Sequence, residues 1–512
     1  LDGREFMGGD LETGLKNLPA DIVDKIKSYD EKSDLAKLTG IDDGEEVTVL
    51  DFGVKKEMKK GFNVNTNIGY GTHDRYAGRF MGARFYGDLR YTLLGNMNNT
   101  GGGGKRRSKM TGVNINYEKR DKLKIDGGIR WNHSDNNNWS KSAVESFVNT
   151  TGAFSNSENQ NYSRSDGWNA NMRLEWKPDT MTTITFRPSF NYSVNDGRGF
   201  SSLASYKEDP YLYVDEPLDD EGIGVMEDNG LMVNRRRNKS LSNSDNWSTG
   251  ASLQFFRKLN SKGRNIAVNG NINYGRGNNK SLSASNVHLY QVKDMYGNDS
   301  TYQTNRYNVA PSNNMSYSLR ATYTEPLFKN VFLQMSYQYQ YSHSVSDRRT
   351  YNFERIPEES WNEIMNAYRD WNSMLGLFEQ PLEYYLDDEL SRYAEHNNYN
   401  HNINVQLRVV NEKYNLNAGV VVRPQRSHLI QDYWGMLVDT VRTVTNVSPT
   451  VNFRYRFSKY SDIRLTYRGS TSQPSITSLL DITDDSNPLY ISKGNPGLKP
   501  SFTSNINLNF KS

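Results

Sequence analysis

A run of glycines before basic residues is the first feature of the sequence that could take part in chemistry. The segment GGGGKRR at 101–107 has the residue types of a phosphate-binding loop. Such a loop lies between a strand and a helix, because the helix N-terminus helps to bind the phosphate. No helical pattern follows this segment, so we interpret it as a flexible loop.

The residue types that build enzyme active sites and metal centres do not form recognisable motifs in this sequence. The histidines show no HExxH pair and no other ligand spacing; they are His73, His133, His288, His343, His396, His401 and His428. The chain has no cysteine, which excludes disulfides, thiolate zinc sites and cysteine nucleophiles. No G-x-S-x-G motif is present. We therefore expect no catalytic residue, no cofactor and no metal site.

Two acidic clusters have the oxygen ligands that calcium prefers. The first contains Asp215, Glu216, Asp219, Asp220 and Glu221, and the second contains Asp481, Asp484 and Asp485. Neither cluster follows the ligand order of an EF-hand loop. A solvated loop is the favoured interpretation of both, and a calcium site is the weaker alternative.

Four aromatic residues are candidate contacts to a ligand or a partner: Trp361, Trp371, Tyr433 and Trp434. The segment 356–378 predicts an amphipathic helix, whose apolar face contains Trp361, Ile364, Met365, Tyr368, Trp371 and Leu375. We favour packing of this face against the neighbouring strands over a docking surface or a lid. For Tyr433 and Trp434, packing is likewise favoured over ligand contact.

The elements that must position these residues show a period of two from Gly61 onward. In 331–341, for example, apolar side chains alternate with polar ones. The pattern recurs in segments of about ten residues, and we count about sixteen of them, as a membrane β-barrel requires. A soluble β-sandwich, solenoid or adhesin is the alternative.

The predicted connections alternate between short and long. The short ones are 117–123, 176–181, 257–264, 324–330, 411–415 and 457–462. The long ones are 133–163, 196–243, 276–313, 345–398, 428–443 and 470–500. Outer-membrane barrels have short periplasmic turns and long extracellular loops. The connections therefore favour such a barrel, with the long loops outside the cell.

The composition agrees with this fold class. Mean hydropathy is −0.81, and no stretch approaches the roughly 20 apolar residues that a membrane-spanning helix needs. The 33 Tyr, 20 Phe and 8 Trp suit the aromatic girdles at the two membrane interfaces. A net charge of +3 gives no indication that the protein binds nucleic acid.

Residues 1–60 differ from the rest of the chain. Leu18, Ile22 and Ile26 have helical spacing after a proline, which predicts a short helix. A turn follows at 40–46, and VTVLDFGVKK then alternates like a strand. This small α/β piece is too short to have a core of its own, so it must pack against another part of the protein.

Two segments carry a resemblance to a known family. The segment 16–46 resembles the second half of the plug domain in TonB-dependent outer-membrane receptors of the Bacteroidetes type. The plug-like motif consists of Asn17, Leu18, Pro19, Asp21, Gly40, Asp42, Asp43 and Gly44. The segment 487–510 resembles the late-barrel segment of the same family. The resemblance implies an all-β transmembrane antiparallel barrel at 61–512, preceded at 1–60 by the end of an α/β plug and a linker.

The family resemblance also implies a larger protein. Its members have about twenty-two strands and a complete plug, so we expect an internal portion of a longer chain; a complete sixteen-stranded barrel is the alternative. The implied function is import, across the bacterial outer membrane, of a ligand too large for porins, such as a siderophore, peptide or glycan. The implied partners are outer-membrane lipids, a TonB-type energising complex that binds a segment outside this chain, and a surface lipoprotein or other envelope protein. The competing hypothesis is a structural barrel subunit of an assembly, secretion or lipoprotein-export complex.

Overall fold

Antiparallel pairing of strands organises the described part of the chain. The computed structural model describes residues 22–32, 46–55, 61–86, 88–100, 105–147, 152–293, 296–357, 360, 361, 363, 364, 376–433, 436–458, 461–472, 474, 483–487, 490–495 and 497–511. Within them, no helix is long and apolar enough to cross a membrane.

Sixteen strands form one antiparallel sheet, in which the first fifteen pair in chain order and the sixteenth pairs with the fifteenth. They are β3 (Gly61–Gly71), β4 (Arg75–Tyr86), β5 (Leu89–Asn98), β6 (Lys105–Lys119), β7 (Leu123–Glu145), β8 (Phe154–Trp176), β9 (Thr182–Tyr206), β10 (Met232–Lys258), β11 (Asn265–Lys293), β12 (Asp299–Phe328), β13 (Val331–Asn352), β14 (Leu386–Val410), β15 (Tyr414–Tyr433), β16 (Met436–Arg456), β17 (Asp462–Ser472) and β20 (Ser501–Lys511). The predicted number of strands is confirmed.

The remaining elements are short. Two separate hairpins are formed by β1 (Val23–Lys32) with β2 (Glu46–Val54), and by β18 (Thr483–Asn487) with β19 (Tyr490–Lys493). Between β9 and β10 lie a 3-10 helix (Pro210–Leu212) and the α-helix α1 (Asp220–Asp228). A second 3-10 helix (Leu382–Tyr385) precedes β14.

The two faces of the sheet differ in polarity. On β14, Ile403, Val405 and Leu407 are exposed on one face, and the residues between them are Asn404 and Gln406. The paired residues of β13 and β15 continue both faces in register. An apolar face that the protein itself leaves exposed is the face that lipid covers in a membrane barrel. We call it the outer face and the polar face the inner wall.

The short turns lie where the sequence predicts them. Between β6 and β7 the chain reverses over Arg120 and Asp121, whose φ values are 46° and 54°. The N–H of Lys122 donates to the carbonyl of Lys119 at 2.9 Å and closes the turn. Two successive residues with positive φ form the turn type whose twist matches that of the flanking strands.

The predicted bounds of the long loops are wrong. The ranges 133–163, 276–313 and 428–443 are mostly strand: β11 continues to Lys293 and β12 begins at Asp299, and only 434–435 separate β15 from β16. Longer connections remain at 207–231, 353–385 and 473–500. Strand β12 has 30 residues, about three times what a membrane crossing needs. Water covers both faces beyond the bilayer, so the alternation of polarity ends there while the strand pairing continues.

The predicted helix around Ile22 and Ile26 is also wrong within the described residues. The chain there forms β1, and Ile26 pairs with Phe52 of β2. Residues four apart lie on one face of a strand as well as on one face of a helix, so the spacing of Ile22 and Ile26 did not discriminate between a helix and a strand. The predicted strand within VTVLDFGVKK is confirmed as β2. The described part of 1–60 is a β-hairpin and not an α/β piece.

The apolar outer face leads to a test with a pair of adjacent residues. Ile272 is 49% exposed on the outer face of β11, and Asn273 is exposed on the inner wall. We expect Ile272→Arg to destabilise the folded protein in lipid vesicles by about 2–4 kcal/mol, because the charge enters hydrocarbon. Urea unfolding, followed by heat-modifiable migration on gels, measures the difference. Asn273→Arg is the control, and equal destabilisation by both would contradict the assignment of the faces.

Candidate functional site

Amide side chains cover much of the inner wall between β6 and β9. The amide of Asn114 donates to Asn116 at 2.7 Å, and that of Asn116 donates to Asp126 at 2.6 Å. Further along the wall, Asn171 donates to Asn169. In such ladders the side-chain amides form hydrogen bonds with one another and still present further donors and acceptors to water. The inner wall thus has the chemistry of a hydrated lumen.

Next to this polar surface, the inner wall carries an apolar patch on β4 and β5. Met81 and Ala83 of β4 and Leu94 of β5 are buried. They form one cluster with Ile22 and Phe52 of the β1–β2 hairpin. Val23, Leu50 and Met110 pack at the edge of this cluster. The hairpin is therefore docked on the lumen side of the sheet.

Sequence reasoning missed this docking site, although β5 contains a signal for it. Leu93 and Leu94 are adjacent apolar residues in a strand that should alternate. Leu93 is 45% exposed on the outer face, and Leu94 is fully buried under the hairpin. When two adjacent residues of a barrel strand are both apolar, one of them faces the inner wall, which indicates that another part of the protein covers the wall at that point.

A cavity of about 300 Å³ opens on the inner wall between β6 and β11. Its lining includes Asp126, Arg173, Arg187, Asn271 and Asn273. Arg173 also pairs with Glu175 at 2.9 Å. Charged and amide groups of this kind can hydrogen-bond a polar solute in the lumen.

The connection 207–231 folds back onto the strands beyond the membrane. Ile223 and Met226 of α1 pack on Ala204 and Tyr206 of β9, and burial raises the pKa of the Tyr206 hydroxyl. The hydroxyl of Tyr206 donates to the carbonyl of Pro217 at 2.7 Å. These strand residues lie on the continuation of the outer face, so the connection covers the sheet from outside.

The first acidic cluster lies in this connection, and three of its five carboxylates have protein partners. Asp219 caps α1 by accepting from the N–H of Gly222 at 2.6 Å. Asp220 accepts from Arg237 at 2.5 Å, and this hydrogen bond holds the pKa of Asp220 below its usual value. Glu216 pairs with Lys141 at 2.6 Å. Among the described residues, no group of three or more potential ligands could hold a metal ion.

The connection 353–385 contains the predicted contact residue Trp361. Its side chain is 1% exposed and packs with Phe353 and Phe378, the ring centroids lying 5.2 and 6.4 Å away. The cluster also includes Tyr307 and Tyr351 on β12 and β13. The described helical residues 360, 361, 363 and 364 agree with the predicted amphipathic helix. This burial supports the interpretation that Trp361 packs against the neighbouring strands, over contact with a ligand or a partner.

The other predicted site residues are not brought together. Tyr433 ends β15, while Trp371 and Trp434 lie outside the described residues. The plug-like motif residues also lie outside them: Asn17, Leu18, Pro19, Asp21, Gly40, Asp42, Asp43 and Gly44. In the second acidic cluster, Asp481 lies outside the described residues and Asp484 and Asp485 belong to β18. The proposed contacts to ligand or partner therefore stay predictions.

Two histidines take part in local contacts on the outer face. Nδ1 of His401 lies 2.8 Å from the hydroxyl of Tyr337, and the His401 ring is tilted against that of Tyr339 at 5.3 Å, within a group of aromatic residues on β12–β14. His133 bridges Asp135 and Asp166 at 3.2 and 2.8 Å. An aromatic group at this level of the strands fits the girdle expected at a membrane interface.

Comparison with known families gives one match. Residues 438–512 match a family model described as "Outer membrane protein beta-barrel family". This range contains most of β16, the separate β18–β19 hairpin, and β17 and β20 at the end of the sheet. A search of the curated proteins found no match.

Three solved structures with a similar fold are distant from this chain in sequence. The RagAB peptide transporter is 9% identical with a TM-score of 0.33, over 82% of this chain and 53% of that one. BauA, the ferric preacinetobactin receptor from Acinetobacter baumannii, is 9% identical with a TM-score of 0.33, over 88% and 68%. The siderophore receptor PiuA from the same organism is 10% identical with a TM-score of 0.32, over 89% and 77%. The chain thus spans about half of the RagAB chain.

The sheet and the family match agree on the class of protein. Sixteen antiparallel strands present an apolar outer face and a polar inner wall. The family match independently points to a β-barrel of the outer membrane. The protein is therefore an outer-membrane β-barrel protein, as the sequence predicts.

Docking of the hairpin can be tested with two neighbouring leucines. We expect Leu94→Ala to weaken the hairpin contact by about 2–5 kcal/mol, because it leaves a cavity under Ile22 and Phe52. Trypsin should then cleave more rapidly at Lys55, measured by mass spectrometry on the folded protein. Leu93→Ala on the outer face should leave cleavage unchanged. Equal protection in both variants would show that the hairpin does not depend on this patch.

The role of Trp361 can be tested through the connection that contains it. We expect Trp361→Ala to destabilise the packing of 353–385 by about 3–5 kcal/mol, because a fully buried aromatic side chain is removed. Amide hydrogen exchange should increase across 376–385 and remain unchanged in β3–β5. Trp361→Phe should restore most of the protection. Unchanged exchange in the alanine variant would instead favour a contact role for Trp361.

Proposed function

We propose that this protein is a TonB-dependent transporter that imports a ligand too large for porins. The observation that carries the proposal is the β1–β2 hairpin docked on the inner wall at Met81, Ala83 and Leu94. A large barrel with a hydrated lumen would leak unless part of the chain filled it. The docked hairpin lies where a plug must lie.

The strength of this contact supports an energised mechanism. Each large apolar side chain that becomes fully buried contributes roughly 1.5–3 kcal/mol, so release of the cluster around Phe52 costs on the order of 10 kcal/mol. Thermal fluctuations would rarely supply that much free energy at one time. Passage of a ligand past the hairpin therefore calls for an energy source, and an outer membrane has none of its own.

The resemblance of 16–46 to a plug agrees with this position of the hairpin. The proposed energy source is a TonB-type complex, which would act through a segment outside this chain. Siderophores, peptides and glycans are the candidate ligands. The connections 207–231 and 353–385 are the surfaces at which a surface lipoprotein would bind.

A cross-link across the lumen tests the proposal. The chain has no cysteine, so a pair introduced as Leu50→Cys and Met110→Cys would be the only thiols. Both residues lie at the edge of the docking cluster. We expect a short, reducible bismaleimide to hold the hairpin in place and abolish uptake, and reduction of the linker to restore uptake.

Uptake would be measured in a deletion strain that carries each variant, over a panel of ferric siderophores, oligopeptides and oligosaccharides, with and without intact TonB. Each single-cysteine variant treated with the same reagent is the control. Uptake that survives the cross-link, or that is the same without TonB, would contradict the proposal. Absence of any uptake, together with stable co-purification of envelope proteins, would favour a structural subunit.

A further inference from the structure

Two neighbouring strands present an inner wall without charged side chains. Nine successive inner-wall positions of β10, from Asn238 to Gln254, are Ser, Asn, Gln or Gly. Eleven successive positions of β11, from Asn265 to Ser285, are Asn, Ser, Gly or Ala. Charged residues make up 24% of the chain, so its composition alone does not explain this gap.

The outer face of the same two strands does carry charges. Asp245 of β10, and Arg276 and Lys280 of β11, alternate with the uncharged residues of the inner wall. Charged side chains would keep a wall hydrated as well as amides and hydroxyls do. The absence of charge is therefore a property of the inner wall, and hydration alone does not require it.

A cavity of about 500 Å³ opens on this uncharged wall between β9 and β13. Its lumen-facing lining includes Ser248, Asn273, Asn314, Ser316 and Ser342. Sites for small molecules usually have roughly 300–1,000 Å³, so the cavity is large enough for part of a ligand. Hydroxyl and amide groups are the chemistry that it offers.

Two amide side chains of this cavity have unused hydrogen-bonding capacity. Asn273 and Asn314 are exposed, and neither side chain hydrogen-bonds to another residue in the described part of the chain. Amides both donate and accept, and so do the hydroxyls of Ser248, Ser316 and Ser342. The hydroxyl groups of a sugar have the same double capacity. A sugar can therefore pair with this lining at many positions and in several orientations.

Other classes of ligand find less to bind here. Among the described residues of the cavity that face the lumen, none has a charged or an apolar side chain. A charged ligand would lose hydration at this wall and gain no counter-charge. The side chains of a peptide would meet no apolar pocket. We propose that the cavity binds a neutral oligosaccharide through hydroxyl and amide hydrogen bonds. This inference rests on the proposed transport function and names the class of its ligand.

A binding experiment on the purified full chain tests the ligand class, in a polyoxyethylene detergent that has no sugar headgroup. The neutral probes are maltotetraose, cellotetraose and mannotetraose. The competing probes are tetragalacturonate, the cationic tetramer of glucosamine, and an acetylated tetraserine amide as an uncharged peptide. We expect one neutral sugar to bind at least about tenfold more tightly than every competing probe, measured by calorimetry. Salt should not change that affinity, because no ion pair contributes to it. Binding of a competing probe that equals the best neutral sugar, or no binding of any neutral sugar, would overturn the proposal.

Adjacent asparagines on opposite faces connect the binding to the cavity. Asn314→Ala removes an amide from the lining and should weaken binding of the neutral sugar about fivefold, since a hydrogen bond is lost. Asn313→Ala removes the same group from the outer face and should leave binding unchanged. Equal loss of affinity in both variants would contradict the site.

Filling the cavity is an independent test. A Cβ added at Gly275 would lie 3.5 Å from the Cβ of Ser248, an ordinary contact, so the wall accommodates a side chain there. Gly275→Leu should weaken binding at least about tenfold, because the leucine occupies the space of the ligand. Gly270→Leu adds the same side chain to the outer face of β11 and is the control. Unchanged affinity in both Asn314→Ala and Gly275→Leu would show that the sugar binds elsewhere.

Binding requires no uptake, so the two proposals fail separately. Binding of a neutral sugar without any uptake contradicts transport alone. TonB-dependent uptake that is restricted to charged ligands or peptides contradicts the ligand class alone.

Discussion

Hydrocarbon offers no hydrogen-bond partner to a backbone N–H or C=O group, so strands that cross a membrane must bond to one another. Every strand from β4 to β16 pairs on both sides with its neighbours in sequence. Sequential pairing requires tight reversals at one rim, such as the turn at Arg120 and Asp121. Because a crossing strand needs only one apolar face, a chain with a mean hydropathy of −0.81 can still be a membrane protein.

The same pairing extends beyond the bilayer, where water covers both faces. Strands such as β12 continue as polar ladders, and the connections 207–231 and 353–385 fold back against them. These connections bury Met226 and Trp361 against the strands, so much of their apolar surface is used for packing. The part of the sheet beyond the bilayer is therefore a layered structure and not a set of independent loops.

The lumen combines two kinds of surface on one wall. An apolar patch around Leu94 holds the hairpin, and elsewhere arginines and amides face the interior. In the proposed transport function, the apolar contact keeps the path closed and the polar wall provides groups that recognise a solute. Both depend on the strict alternation of side chains, because a strand that contacts lipid on one face contacts the lumen on the other.

The sequence by itself determined the barrel class, the number of strands and the positions of the short turns, because alternation and turn residues are local patterns that lipid and strand pairing impose. Tertiary structure decided the rest. Ile22 and Ile26 fit a helix or a strand equally well until β2 supplied a partner for β1. The loop bounds could not be read from polarity, since water on both faces removes the alternation that marks a strand. The docking of the hairpin on Leu94 joins residues far apart in the chain through side-chain packing between two separate sheets. Strand register brings Arg348 opposite Arg392.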